Sequence, residues 1–187
     1  MSAPLPDAEV LCEGKWLRLL RRGRWEYVER THPGGMAVVI VAVTPADELL
    51  FVEQPRAALG ARTIELPAGL VGDEHAGDTL EAAARRELVE ETGWEPARVE
   101  VLAIGPTSPG MSNERAAFVR ASGLVRVGEG GGVGGEEILV HAVPRTHAAA
   151  WLSDMHARGF QVDLKAWSGL WFAAHASDAG SPHPNPA

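Results

Sequence analysis

"RRELVEETGW", residues 85–94 of a 187-residue chain, decides how the rest is read. At about 3.6 residues per turn the stretch has a helical pattern, yet it gathers Glu87, Glu90 and Glu91 in about two turns. Glu87 and Glu91 lie one turn apart on one side, with Glu90 beside them. Like charges at that spacing weaken a helix. Something positive must compensate.

The helix reaches back to Thr79. Asp78 or Thr79 can cap its start and Gly93 suits its end, which predicts a helix over 79–92. Steps of about 100° per residue put Leu80, Ala83 and Ala84 on one stripe, the core side. Glu87 and Glu91 continue that stripe, Glu90 sits at its edge, and Arg85, Arg86 and Val89 point elsewhere. A solvated charged face would put its carboxylates opposite Leu80 and Ala84, where these are not. Carboxylates turned toward a core or cleft need a cation. Two readings remain, a divalent-metal site and a structural ion-pair network. Clustered carboxylate oxygens suit a hard ion such as Mg²⁺, which tends to keep phosphate oxygens as co-ligands.

Strand patterns surround this helix. "KWLRLL" (15–20) and "WEYVERT" (25–31) flank "RRGR" and read as a hairpin. "MAVVIVAVT" (36–44) and "ELLFVEQ" (48–54) follow across the turn-like "PAD", and "TIELPAG" (63–69) is a short strand stopped by Pro67 and Gly69. "VEVLAIG" (99–105), "RAAFVRAS" (115–122) and "EEILVHAV" (136–143) are further strands, while helical patterns fill 145–158 and 164–175. "GEGGGVGG" (128–135) reads as a flexible loop. It is no phosphate-binding loop, since no Gly-Lys-Ser/Thr closes it and no strand-to-helix step follows. Residues 1–12 form an N-terminal segment, 13–176 one domain, and 177–187 a tail whose composition suits disorder.

Composition bounds the function. The length suits one domain with a real core, and a hydrophobic content of 45% is that of an ordinary globular protein. A formal net charge of -8 argues against a bulk grip on DNA, RNA or an anionic membrane. It leaves room for a small phosphate ligand held through a metal. Cys12 is the single cysteine, so there is no internal disulfide and no cysteine metal cluster, which fits a reducing cytoplasm. "MSAPLPDAEV" lacks the basic start and apolar stretch of a targeting segment, and "MAVVIVAV" is too short to span a bilayer. The histidines show no metal-ligand spacing.

The spacing around the helix resembles the Nudix hydrolase signature, G-x5-E-x7-R-E-U-x-E-E-x-G-U with U a bulky apolar residue. Gly72, Asp78, Arg86, Glu87, Leu88, Glu90, Glu91, Gly93 and Trp94 stand at those positions. The first Glu is the one departure, replaced by Asp78, which at a helix start still accepts hydrogen bonds and suits the dipole. Within that family the chain looks most like the ADP-ribose and ADP-sugar pyrophosphatases. Pro67, Ala68 and Gly69 match the "PAG" before the box, and Pro109 in "SPGMSNE" matches the proline sixteen residues after the box glycine. "EGKW" (13–16), "WEYVERT", "VEQPR" (52–56) and "IELPAGL" (64–70) resemble the animal-type members. Within "VGDEHAGD" the chain carries three more residues than such members usually have.

That resemblance implies an α/β/α sandwich, a central mixed sheet flanked by helices, with an N-terminal β arm (about 13–34) used to form a homodimer. It implies Mg²⁺-dependent hydrolysis of ADP-ribose to AMP and ribose 5-phosphate, with roughly two or three ions at the site and the choice between Mg²⁺ and Mn²⁺ left open. Glu87, Glu91 and the Ala68 carbonyl would hold metal, with Glu90 a further or water-mediated ligand. The base that takes the water's proton would be a loop Glu before a late strand, either Glu136 or Glu137, with Glu90 as the remaining alternative. Trp16 and Trp25 match the positions that sandwich adenine, one ring from each subunit; core packing is the alternative for both. Arg30, Arg56, Glu65 and Glu114 match substrate-contacting positions, and Met111 lies in the same "SPGMSNE" element. Trp94, Trp151, Trp167 and Trp171 are assigned to core packing. Two other functions remain open: a diphosphatase for GDP-mannose, another ADP-sugar or NADH, and a non-catalytic module that senses ADP-ribose.

Overall fold

The computed structural model describes residues 7–31, 36–72 and 77–175. In chain order the strands are β1 (Glu9–Glu13), β2 (Leu17–Arg22), β3 (Trp25–Arg30), β4 (Met36–Ala42), β5 (Glu48–Arg56), β6 (Ala61–Glu65), β7 (Ala68–Leu70), β8 (Trp94–Glu95), β9 (Arg98–Pro106), β10 (Arg115–Ser122), β11 (Val125–Arg126), β12 (Leu139–Pro144) and β13 (Gln161–Val162). The helices are α1 (Leu80–Thr92), α2 (Ala148–Ala157) and α3 (Leu164–Ala174).

The apolar run at β4 shows why the layers stack as they do. Its side chains alternate across the strand, as period two requires. Val38, Ile40 and Ala42 join Leu50 under Ala83, Ala84 and Leu88 of α1. Val39 and Val41 turn the other way, into a core with Leu49, Phe51, Ile64, Leu152, Met155 and Ala166. Both faces are therefore buried, at about 1.5–3 kcal/mol for each large apolar side chain removed from water. The result is the expected α/β/α sandwich, with α1 on one side and α2 and α3 on the other.

The middle layer differs from a single central sheet. It is two four-stranded mixed sheets, ordered β7-β4-β10-β9 and β12-β5-β6-β13. β4 runs parallel to β10 and β6 parallel to β13, while the remaining pairs are antiparallel. A strand has only two edges. Those of β4 are taken by β7 and β10, those of β5 by β12 and β6, so the two strands pair only around their turn, at the isolated bridge Val43↔Leu49 and the Thr44 N–H to Glu48 carbonyl bond at 2.8 Å. "TIELPAG" is likewise divided between the sheets. β6 ends at Glu65, the chain turns at Pro67, whose carbonyl accepts from the Ile40 N–H at 2.8 Å, and β7 begins in the other sheet.

Two boundaries also moved. The predicted hairpin is β2–β3, but β1 adds a third antiparallel strand to the arm, so Glu9–Cys12 belong to it rather than to a separate segment. The arm meets the body where the Val28 N–H donates to the Met111 carbonyl at 2.8 Å. β12 starts at Leu139, which leaves Glu136 and Glu137 in the preceding loop. The tail at 177–187 lies outside the described residues.

The tryptophans sort differently from the core assignment. Trp151 stacks on Phe51 at 5.1 Å between centroids, and Trp94 packs against the α1 core. Trp167 and Trp171 face outward, Trp171 being 59% exposed. α3 turns its small residues Ala166, Gly169 and Ala173 inward instead. At Gly169 a Cβ would lie 2.6 Å from Leu66, so this approach is too close for larger side chains. The indoles take the opposite face.

Candidate active site

The site is built where the second half of α1 faces the turn between β6 and β7. Thr79 caps α1 by accepting from the Ala82 N–H at 3.1 Å, and Gly93 ends it in the left-handed region at φ 74°, as the sequence suggested. Leu80 is only partly buried; the inward stripe is Ala83, Ala84, Leu88 and Glu91. Gly69 explains how Glu87 fits. A Cβ there would lie 1.9 Å from the Glu87 carboxyl carbon, so only glycine lets that carboxylate rest on the backbone. Glu91 is buried where Glu87 is partly so, and it accepts from the Ala68 N–H at 3.1 Å. Ala68, Glu87 and Glu91 are thus brought together.

Arg86 does not point away, as the helical projection implied. Its side chain curls back, with Nη1 2.8 Å from Glu87 Oε1 and 3.7 Å from Glu90 Oε2, and Nη2 3.8 Å from Asp78 Oδ2. A long guanidinium can reach across a helix face that its Cα does not occupy. Part of the compensating charge is therefore Arg86 itself, spread over several carboxylates. Asp78 Oδ2 is buried without a hydrogen bond. A Glu at that position would be one methylene longer, so the short side chain leaves this gap.

Arg86 does not cancel the crowding. Burial pushes Glu87 up to about 7, with Arg86 opposing and Glu90 and Glu136 adding to the rise. Burial pushes Glu91 up to about 8, against the Ala68 amide, with the charges of Glu87 and Glu136 adding. Among the described residues, no three His, Cys, Asp or Glu side chains converge on one point. Glu87 is turned to Arg86 and Glu91 to the Ala68 amide, so rotation of either carboxyl group is needed to share an ion. The donor set is hard oxygen on adjacent turns, under-neutralised and buried, which fits a hard divalent cation.

The glycine-rich segment is less loose than its composition suggested. The Gly131 and Gly132 N–H groups donate to the carbonyls of Glu91 (2.9 Å) and Glu90 (3.0 Å), capping α1. At Gly130 a Cβ would lie 2.5 Å from the Thr92 carbonyl carbon, which requires glycine for the approach. The two loop glutamates then differ. Glu136 accepts from the Val133 N–H at 3.0 Å and its charge bears on both Glu87 and Glu91. Glu137 is largely exposed and lies 3.6 Å from Arg62.

The residues expected to meet substrate are paired with one another. Arg30 donates through Nε and Nη2 to Glu114 at 3.0 and 2.7 Å. Arg56 makes a two-pronged contact with Glu65 at 2.7 and 2.8 Å. That hydrogen bond raises Arg56 further, and with Thr63 it holds Glu65 below its ordinary value despite burial. Trp16 and Trp25 are 61% and 63% exposed, so core packing is not their role in this chain. Trp25 pairs with Arg22 at one end of the hairpin, while Trp16 meets Thr31 at the other. At about 3.4 Å per residue their backbone positions lie roughly 20 Å apart along the hairpin. Met111 is exposed on the loop whose Pro109 and Ser112 form a cavity with Trp25 and Tyr27. Sequence reading missed Glu53, Arg62 and His141, which lie on separate strands and share no motif.

Residues 33–153 match the NUDIX domain family. The methanol dehydrogenase activator of Bacillus methanolicus is 35% identical over 108 residues, 58% of this chain and 56% of that protein. The ADP-sugar pyrophosphatase of Mus musculus is 33% identical over 121 residues, 56% and 54% of the two chains. The ADP-ribose pyrophosphatase of Mycobacterium tuberculosis is 40% identical over 92 residues, 49% and 44%. The chain spans about half the length of these curated relatives. The crystal structure of an ADP compounds hydrolase superposes with a TM-score of 0.74 over 92% of each chain at 18% identity, a likeness of fold.

Proposed function

The chain belongs to the NUDIX domain family, and from that premise we propose that it is a Mg²⁺-dependent diphosphatase converting ADP-ribose and water to AMP and ribose 5-phosphate. The observation that carries this reading is the Glu87–Glu91 pair on the Ala68–Gly69 backbone, Glu91 buried and Glu87 partly so, which desolvation holds up to about 8 and about 7 with the neighbouring carboxylates adding to the rise. The chemistry that bound Mg²⁺ would supply is neutralisation of the diphosphate, polarisation of a phosphorus and a lower pKa for the attacking water.

The remaining steps belong to the protein. Glu87 and Glu91 would hold the metal, with the Ala68 carbonyl and Glu90 as further ligands. Glu136 takes the water's proton; its charge already bears on both glutamates, whereas Glu137 faces Arg62. Arg56 keeps guanidinium donors for phosphate while Glu65 fixes its plane, and Arg30 with Glu114 does the same on the arm side. Two exposed indoles at opposite ends of one hairpin, their backbone positions roughly 20 Å apart by strand rise, support adenine stacking between Trp16 of one subunit and Trp25 of the other, hence a homodimer. The single Cys12 suits a reducing cytoplasm.

A turnover screen with Mg²⁺ over ADP-ribose, other ADP-sugars, GDP-mannose and NADH tests the reading. The highest kcat/KM is expected for ADP-ribose, with AMP as product. A preference for GDP-mannose would end the adenine assignment. Tight ADP-ribose binding without turnover would favour the sensing module.

A further inference from the structure

The loop that carries Glu136 is held at both ends. At its start the Gly131 and Gly132 amides bond the last carbonyls of α1. At its end stands Arg62 of β6, whose Nη2 donates to the Glu137 carbonyl at 3.3 Å and whose Nη1 lies 3.6 Å from the Glu137 carboxylate. The Glu137 side chain is 77% exposed, and the bond to its carbonyl, though also solvent-exposed, is the one that holds the main chain itself.

The guanidinium is itself fixed from behind. Its Nε donates at 2.6 Å to Oε1 of Glu53, a buried carboxylate on β5. The other oxygen of Glu53 lies 3.0 Å from Nε2 of His141 on β12, whose ring packs on Trp151 at 5.1 Å. Three neighbouring strands thus aim one rigid fork at the main chain beside Glu136. A planar guanidinium can serve Glu53 and Glu137 at once; a lysine ammonium, a point donor, cannot hold that geometry.

We propose that Arg62 is a positioning residue which, steered by Glu53 and acting through the main chain of Glu137, holds Glu136 against the Glu87–Glu91 pair. This rests on the reading of Glu136 as the proton acceptor. Arg62 does not touch the reacting atoms. It fixes the loop geometry on which a small displacement of the base would cost rate but not substrate affinity.

The test uses the full-length chain with Arg62→Met and Arg62→Lys, read by ADP-ribose kinetics and by amide hydrogen exchange. Arg62→Met should lower kcat roughly tenfold or more while KM changes less than about twofold. Exchange at 133–138 should accelerate while that of β4 stays as in the wild type. Arg62→Lys should regain part of both, and it carries the test if Arg62→Met fails to fold. In a Glu136→Gln background the added Arg62→Met should cost no further rate, since the two act as one unit. Unchanged exchange at 133–138 overturns the tether whatever Glu136 does. An equal loss of kcat in the Glu136→Gln background overturns action through Glu136. Full turnover in Glu136→Gln alone with faster exchange in Arg62→Met sinks the base assignment and leaves the tether standing.

Discussion

Metal binding near neutral pH should expel protons, and the number follows from the two buried glutamates. With Glu87 at about 7 and Glu91 at about 8, about half of the first and about nine-tenths of the second are protonated at pH 7. A cation needs both as carboxylates, so saturating Mg²⁺ should release between about one and one and a half protons per site. The two groups repel each other, so the steps belong to the pair rather than to either residue. Calorimetric titration of the metal-free protein with MgCl₂ in phosphate and in Tris, which differ in ionisation enthalpy, reads the count from the difference in heat. Release should shrink toward zero by about pH 9, where both groups are already ionised, and apparent Mg²⁺ affinity should rise with pH and level off there. Identical heats in the two buffers at pH 7, with Mg²⁺ clearly binding, would refute the crowding on which the site assignment rests.

The same shifts act on stability. Both folded-state values lie above the ordinary 4.5, so their contribution is full below that value and is lost as pH rises toward 7 and 8. The melting temperature of the metal-free protein should therefore fall between pH 5 and 8, and Mg²⁺ should restore it at pH 8. Glu53 and Glu65 are held low, so their contribution is lost only below the usual carboxylate range and does not mask this window. A flat melting temperature from pH 5 to 8 would count against the buried pair. Gly69→Ala should push the Glu87 carboxylate aside and weaken Mg²⁺ binding by about tenfold or more with little loss of melting temperature; unchanged affinity by calorimetry would contradict the close approach at Gly69. Trp16→Ala and Trp25→Ala should each weaken ADP-ribose binding by about 1–3 kcal/mol with far less effect on saturated turnover. Mixing the two variants, with subunit exchange verified by mass spectrometry, should restore wild-type affinity to part of the population; no restoration argues against a shared adenine site.

How far the sequence could be read depended on whether a feature is local. α1 was legible because its cap, its glycine stop and its spaced glutamates lie within one short stretch, and the apolar runs buried as β4 and β5 are equally local. The division into two sheets was not, because strand periodicity does not say which neighbour takes each edge. Arg86 was misplaced because a helical projection locates its Cα, whereas its guanidinium reaches across the face to Asp78, Glu87 and Glu90. For Trp167 and Trp171 the default of core packing fails, because the small residues of α3 face inward and Gly169 makes the tight contact with Leu66. The glycine-rich loop hid its order for a related reason. Glycines permit many backbone paths, and only the partner carbonyls on α1 select one.

The central claim is that metal held by Glu87 and Glu91 carries out diphosphate hydrolysis. ADP-ribose should be incubated with Mg²⁺ and either wild-type protein or Glu91→Gln, and the products followed by ³¹P NMR. The substitution keeps the side chain's size and removes a charge, so the fold should persist by circular dichroism. At about 1.4 kcal/mol per tenfold, loss of a metal-holding group predicts a fall in AMP and ribose 5-phosphate formation of ~10² or more. A folded Glu91→Gln protein that releases the two products at the wild-type rate would contradict the account.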